Sequence, residues 1–359
     1  MRNPGKTVMV IGKFYTEGFA AHISETFESM GYEVVRHEVG PRRKIYRNAL
    51  EMRLAQAKDQ IAQLADQVPR IRRFATERLL ASGQGRPIGL SIVCHDFLQP
   101  AEVASLKEKT GAPAVMWFPD AITGVGRSYF LSAPYDALFF KDPFIVYNLR
   151  RTMMNRAIFY LPECCNPRYH KPVPVAPEDF SRYGCDIATA GNMYPYRAEF
   201  FRNLIGYDVK IWGNPAPAWL DVSAIKGMIQ NRFVANEEKS KAFLCAKIVL
   251  NNLNPAEIWG VNVRTFEIAA AGGFQCVDWR PGLSQLFVEG KEIVAFRDID
   301  DLKRKLDLFL RNDDQRREIA HSSQQRAHKD HTYERRLALL MATVFEGRKG
   351  YPFPEIGWR

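Results

Sequence analysis

At 359 residues the chain is too long for one ordinary core and suits two domains of about 150 residues each. Its 46% hydrophobic and 25% charged residues exclude disorder over most of the length, and no run approaches the roughly 20 apolar residues of a membrane span. The formal charge of +10 attracts anionic partners but does not choose between nucleotide, nucleic acid and an anionic membrane surface.

In chain order, residues 6–12 form a short apolar run ending in Gly12, the pattern of a buried parallel strand and too short for a signal-peptide core. A cytoplasmic location is the expectation. Ala20, Ile23, Phe27 and Met30 recur at helical spacing, Gly31 stops that helix, and 32–36 is the next strand, which completes one right-handed βαβ unit. Residues 48–80 have a helical period interrupted near Pro69. Within 41–80, ten Lys/Arg stand against four Asp/Glu, so about +6 of the charge is concentrated there.

Short apolar strands follow at 88–94, 114–118, 137–140 and 157–161. Pro162, Pro167, Pro172, Pro174 and Pro177 then mark 162–181 as an extended connector rather than an element. A second alternation follows: strand 185–190, turn Gly191-Asn192, helix 196–204, strands 209–212 and 246–250, helix 264–271 closed by Gly272-Gly273, and strand 274–277. Helices at 299–310 and 315–327 precede a last apolar helix, 337–345, whose Leu337, Leu340, Met341 and Val344 require a partner surface. The pattern is α/β, with two doubly wound, Rossmann-like domains at 1–172 and 173–329. The remaining 330–359 should return to the N-terminal domain. The six cysteines lie mostly in apolar runs without zinc-site spacing and read as reduced, buried thiols, with a redox or metal role for Cys164-Cys165 as the alternative.

In open parallel sheets, ligands bind beyond the carboxyl ends of strands, so the loops after strands are where chemistry is expected. In Gly12-Lys-Phe-Tyr-Thr-Glu-Gly18 two glycines permit close approach of a ligand, although neither the dinucleotide nor the P-loop pattern is present and an ordinary βα turn explains them equally. In Gly191-Asn192-Met-Tyr-Pro-Tyr-Arg197 an arginine on the opening helical turn, beside free N–H groups, suits a diphosphate; the alternative is a helix-surface arginine. Residues 260–273 lead a polar turn with Asn262 and Arg264 into an apolar helix with one carboxylate, Glu267. That carboxylate needs hydrogen bonds, which a ribose diol supplies; a pair with Arg264 is the structural alternative.

The segments CDIATAGNMYPYRAEFFRNL, AKIVLNN, NVRTFEIAAAGGFQCVD, LFVEGKEIVAFRDIDDLKRKLDLFLRNDDQRREIA and HTYERR, with YLPECCNPRYHKP upstream, together carry a family resemblance. Over roughly 157–336, and more loosely before that, the chain resembles GT-B glycosyltransferases, most closely the CgeB-type, spore-maturation-like family. The resemblance implies two Rossmann-like domains facing each other across a cleft and a nucleoside-diphosphate sugar donor, with a UDP-sugar favoured. It places Glu267 on the nucleotide ribose, Arg197 on the diphosphate, and Asn262 and Arg264 in the loop entering the same site. Retaining relatives carry a second glutamate eight residues before the ribose one; here that residue is Trp259, a departure that leaves the sugar open.

An inverting enzyme of this class needs a base from its N-terminal half, and His95, Asp96 and Asp120 follow strands there, where an N-cap or loop role is the alternative. No metal is expected, because basic residues and helix dipoles can stabilise the leaving diphosphate, and no cofactor is required beyond the donor. The acceptor is expected to be a hydroxyl of a glycan or protein. A nucleic-acid acceptor or a non-catalytic polyanion-binding module ranks second, because the basic segment has only Tyr46 and Phe74 for stacking. Peripheral contact with an anionic membrane is a third use of the same charge.

Overall fold

The computed structural model describes residues 5–39, 50, 51, 53, 54, 57, 61, 68–121, 123, 127–154 and 156–353. Most of residues 41–67, the larger part of the basic stretch 41–80, therefore lies outside the described residues, as does the tail from 354. Among the described residues, one compact unit holds those up to Pro162 together with Tyr333–Phe353, and the other holds Glu163–Thr332.

The first unit is a six-stranded sheet of β1 (Thr7–Gly12), β2 (Glu33–Glu38), β3 (Ile88–Val93), β4 (Ala114–Phe118), β5 (Ala137–Phe140) and β6 (Ile158–Tyr160). All pairings are parallel, in the order β2-β1-β3-β4-β5-β6. Every residue of β1 and β4 is buried, as a strand covered on both faces requires. The helices are α1 (Phe19–Ser29), α2 (Pro69–Ser82), α3 (Pro100–Thr110) and α4 (Pro143–Thr152). α3 is set by a carboxylate and a glycine: Glu102 Oε2 accepts from the Gln99 N–H at 2.8 Å, and Gly111 ends the helix at φ 65°.

The second unit is a five-stranded parallel sheet, β11-β10-β9-β7-β8, of β7 (Cys185–Ala190), β8 (Val209–Trp212), β9 (Ala246–Asn251), β10 (Gln275–Asp278) and β11 (Val294–Phe296). Around it lie α5 (Pro177–Tyr183), α6 (Pro195–Arg202), α7 (Asn236–Leu244), α8 (Val263–Ala271), α9 (Ile299–Leu310) and α10 (Asp313–Asp330). The last helix, α11 (Tyr333–Glu346), belongs to the first unit and packs on α1. Leu337 and Leu340 are fully buried, and the Tyr333 ring lies 5.2 Å from that of His22 and 6.1 Å from that of Phe19.

The expected α/β architecture with two doubly wound parallel sheets is present. Its details correct the sequence reading in one place and extend it in others. The proline-rich connector is not extended throughout, because Pro177 opens α5 and Asp179 Oδ2 accepts the Ala176 N–H at 3.0 Å. Proline at a first helical position loses no hydrogen bond, since that N–H has no partner in the helix. α3, α4, α7 and the short β11 emerge only in the structure. All six cysteines are buried and none forms a disulfide among the described residues, and burial pushes the Cys276 thiol up to about 12. Among the described residues no helix is long and apolar enough to cross a membrane.

Candidate active site

In each sheet the direction of winding reverses once, between β1 and β3 in the first unit and between β7 and β9 in the second. A crevice opens at such a reversal because the connections leave to opposite faces, and ligands bind there. Gly191 follows β7 at the second reversal, with φ 136°, a conformation reserved almost entirely for glycine. A Cβ at this position would overlap the Arg264 guanidinium and lie 2.7 Å from Arg197 Nη1. Two guanidinium groups thus converge on bare backbone.

Arg197, on the first turn of α6, is 1% exposed. Its Nη2 donates to Thr189 Oγ1 at 2.6 Å and its Nη1 to the Asn192 carbonyl at 3.2 Å, while Nε has no partner among the described residues. Arg264, half-buried on α8, donates from Nη1 to Asn251 Oδ1 at 3.3 Å. Neither arginine has a carboxylate within ion-pair distance among the described residues. Burial, with the Arg264 charge adding to it, lowers Arg197 to about 9. Burial lowers Arg264 as well, opposed first by Glu267. A buried and a half-buried guanidinium thus stand side by side with no carboxylate paired to either among the described residues, an arrangement that is costly without a compensating partner.

Asn251, at the end of β9 and 0% exposed, holds this arrangement in place. Its Nδ2 lies 3.1 Å from Asn262 Oδ1, 3.0 Å from Thr265 Oγ1 and 3.1 Å from Gln275 Oε1. Asn262 caps α8 by accepting the Thr265 N–H at 3.2 Å, and its Nδ2 donates back to Asn251 Oδ1 at 3.1 Å. Asn262 is thus a helix cap that aims the N-terminus of α8 at the crevice. Asn192 is exposed; it contributes its carbonyl to Arg197 and accepts from Asn214 Nδ2 at 3.0 Å.

Glu267 is not paired with Arg264. Its partners are Lys239 of α7, 3.0 Å away, and His170, 3.5 Å away. Burial alone would raise this carboxyl, but the Lys239 ammonium and then His170 hold it well below the usual carboxylate range. Trp259 is buried, and its carbonyl accepts the Gly282 N–H at 2.7 Å where no Cβ has room, so it is built into the packing. Sequence reading missed Thr189, Lys239, His170 and Asn251. The only signal for Asn251 was a pair of asparagines closing an apolar run.

In the first unit, His95 and Asp120, separate candidates in the sequence, are hydrogen-bonded. His95 Nε2 lies 3.0 Å from Asp120 Oδ2, with side-chain exposures of 20% and 63% respectively. His95 follows β3 at the reversal point with φ 141°, a strained value for a side chain that costs about 1–3 kcal/mol. Its ring stacks on Phe97 at 4.9 Å and contacts Phe118 at 4.5 Å. His95 Nδ1 has no hydrogen-bond partner among the described residues, and because an ionised carboxylate can only accept, the bond to Asp120 has Nε2–H as its donor.

Asp96 is occupied otherwise: its two oxygens accept the Tyr129 and Phe130 N–H groups, each at 2.9 Å, and anchor a loop. Gly12 and Gly18 have packing reasons of their own. A Cβ on Gly12 would sit 2.7 Å from Ala20 Cβ, and one on Gly18 would sit 2.8 Å from the Tyr15 carbonyl.

A family model described as glycosyl transferase-like matches residues 197–342. No curated protein sequence matches the chain. Among solved structures, sucrose-phosphate synthase from Thermosynechococcus elongatus superposes with a TM-score of 0.66 at 11% identity, covering 96% of this chain and 100% of that one. A glycosyltransferase from Rickettsia africae gives 0.63 at 12% identity, covering 95% and 98%. HepE from Anabaena, in complex with UDP-glucose, gives 0.59 at 10% identity, covering 94% and 99%. The chain therefore has the GT-B glycosyltransferase fold, and its second half is similar to the glycosyl transferase-like family, which together support a transferase.

Proposed function

We propose that the protein transfers a sugar from a nucleoside-diphosphate sugar, with UDP-sugar favoured, to a hydroxyl of a glycan or protein acceptor, as a member of the CgeB-type branch. The observation that carries this is the Arg197–Arg264 pair, two guanidinium groups without a carboxylate converging at Gly191. A diphosphate offers the charge and the acceptor oxygens they lack. The complex of HepE with UDP-glucose supports the choice of donor.

In this reading the bond between the anomeric carbon and the diphosphate oxygen breaks, and the electron pair leaves on the diphosphate, where the two arginines stabilise it without need of a metal. The bond to the acceptor oxygen forms on the opposite face, and the acceptor proton passes to Asp120. His95 is a positioning residue that holds that carboxylate by its Nε2–H. Glu267 binds the ribose diol, with Lys239 and His170 keeping it ionised.

Thermal unfolding against UDP, GDP, dTDP and their sugars tests the donor class, with mass spectrometry of the products and NMR of the anomeric configuration. A shift with a uridine nucleotide and an inverted product are expected. No shift with any nucleotide, or a retained configuration, refutes the corresponding step. The basic stretch 41–80 makes nucleic acid the second choice of acceptor. DNA affinity that falls steeply with salt would favour it, and sedimentation with anionic vesicles tests membrane contact.

A further inference from the structure

Asn252 follows β9 directly and is 2% exposed, yet neither its Nδ2 nor its Oδ1 has a hydrogen-bond partner among the described residues. Its neighbour Asn251 is the opposite case, with both ends of its amide engaged. An amide buried and unpaired at both ends carries the desolvation cost of each group with no return, and such groups in a folded protein call for a missing partner. Arg197 Nε, also buried and without a partner among the described residues, lies on the first turn of α6, which follows β7, the strand beside β9.

These groups define the chemistry of that partner. Arg197 Nε–H and Asn252 Nδ2–H need acceptors, which a phosphate supplies. Asn252 Oδ1 needs a donor, which an ionised diphosphate lacks and a hydroxyl has. The strand alternation indicates which hydroxyl. Ile248 and Leu250 pack into the core with Phe200 of α6 and Phe309 of α9, whereas Val249 packs with Phe243 of α7 and Ile268 of α8. Asn251 shares the α8 side through Thr265. Continued by one residue, the alternation assigns Asn252 to the face opposite α7 and α8, the helices that carry Lys239 and Glu267.

We infer that Asn252 binds the sugar of the donor, its amide donating to one hydroxyl and accepting from another; this rests on the donor reading above. The sugar then lies across the diphosphate from the ribose carboxylate.

Calorimetric titration of the full chain with UDP and with UDP-glucose tests the inference, using Asn252→Leu, which keeps the shape and removes both polar ends. The expected result is a UDP affinity within about twofold of wild type and a UDP-glucose affinity about tenfold or more weaker. The thermal midpoint should be unchanged or raised, because the variant removes unpaired buried groups. Equal weakening of both ligands overturns the assignment and makes Asn252 a nucleoside contact. Unchanged affinities with a lowered midpoint overturn it in favour of a buried water, and a wild-type chain that binds UDP-glucose no more tightly than UDP also overturns it. A wild-type chain that binds neither probe refutes the donor reading itself.

Discussion

Replacing Arg197 with methionine separates a ligand-binding arginine from a structural one by the sign of its effect. Arg197 is pushed well below the ordinary arginine range, to about 9, mainly through burial and then through Arg264. At about 1.4 kcal/mol per pKa unit, keeping this charge in the folded state costs roughly 4–5 kcal/mol. Because the folded value is the lower one, that cost is fully present below about pH 9 and is relieved as pH rises toward the unfolded value. Against it stand two hydrogen bonds, to Thr189 and the Asn192 carbonyl, and the Phe201 ring 5.7 Å away, together about 2–4 kcal/mol.

Arg197→Met should therefore be as stable as wild type, or more stable by about 1–2 kcal/mol, in urea denaturation near pH 7. The same variant should bind UDP about 10- to 100-fold more weakly, since a charge-assisted bond to phosphate contributes about 1.5–3 kcal/mol. A variant destabilised by more than about 2 kcal/mol with UDP affinity intact would refute the reasoning and return Arg197 to the fold.

Glu267→Gln should weaken UDP binding and lower stability by about 3–5 kcal/mol, because Lys239 is left buried without its carboxylate. Glu267→Gln combined with Lys239→Met should recover the stability but not the affinity. The folded Glu267 carboxyl is held below its unfolded value, so its stabilisation is present above ordinary carboxylate pKa values and disappears as pH falls through the folded one. Urea midpoints measured from pH 7 downward should show a steeper loss for wild type than for the double variant. Asp120→Asn should lower kcat by about 100- to 10,000-fold with UDP affinity within about twofold, and a kcat near wild type would remove Asp120 from the chemistry. Leu340→Ala, at the fully buried face of α11, should cost about 2–5 kcal/mol by urea denaturation.

Strands were legible in the sequence where both faces are covered, because a run such as Val8 to Ile11 has no solvent side to mark with polar residues. Helices were less legible where proline opens them. Pro69, Pro100, Pro143, Pro177 and Pro195 each stand at a helix start among the described residues, and proline density alone reads as extended chain. At Pro177 that reading failed. The residue that decides is Asp179, two positions later, whose carboxylate accepts the Ala176 N–H and turns the chain.

The candidate site divides along the same physical line. Asn262 and Glu267 stand out because a cap and a lone carboxylate on an apolar helix are local features. Their partners do not, since Lys239 meets Glu267 across 28 residues and His95 meets Asp120 across 25. Those pairings are made by strand order: placing β9 beside β7 brings Asn251 and Gly191 to one reversal point, and placing β3 beside β1 and β4 does the same for His95. The charge balance follows from the pairing. Once Lys239 rather than Arg264 pairs with Glu267, both arginines at Gly191 are left without a paired carboxylate among the described residues, a charge arrangement that no single segment of the sequence displays.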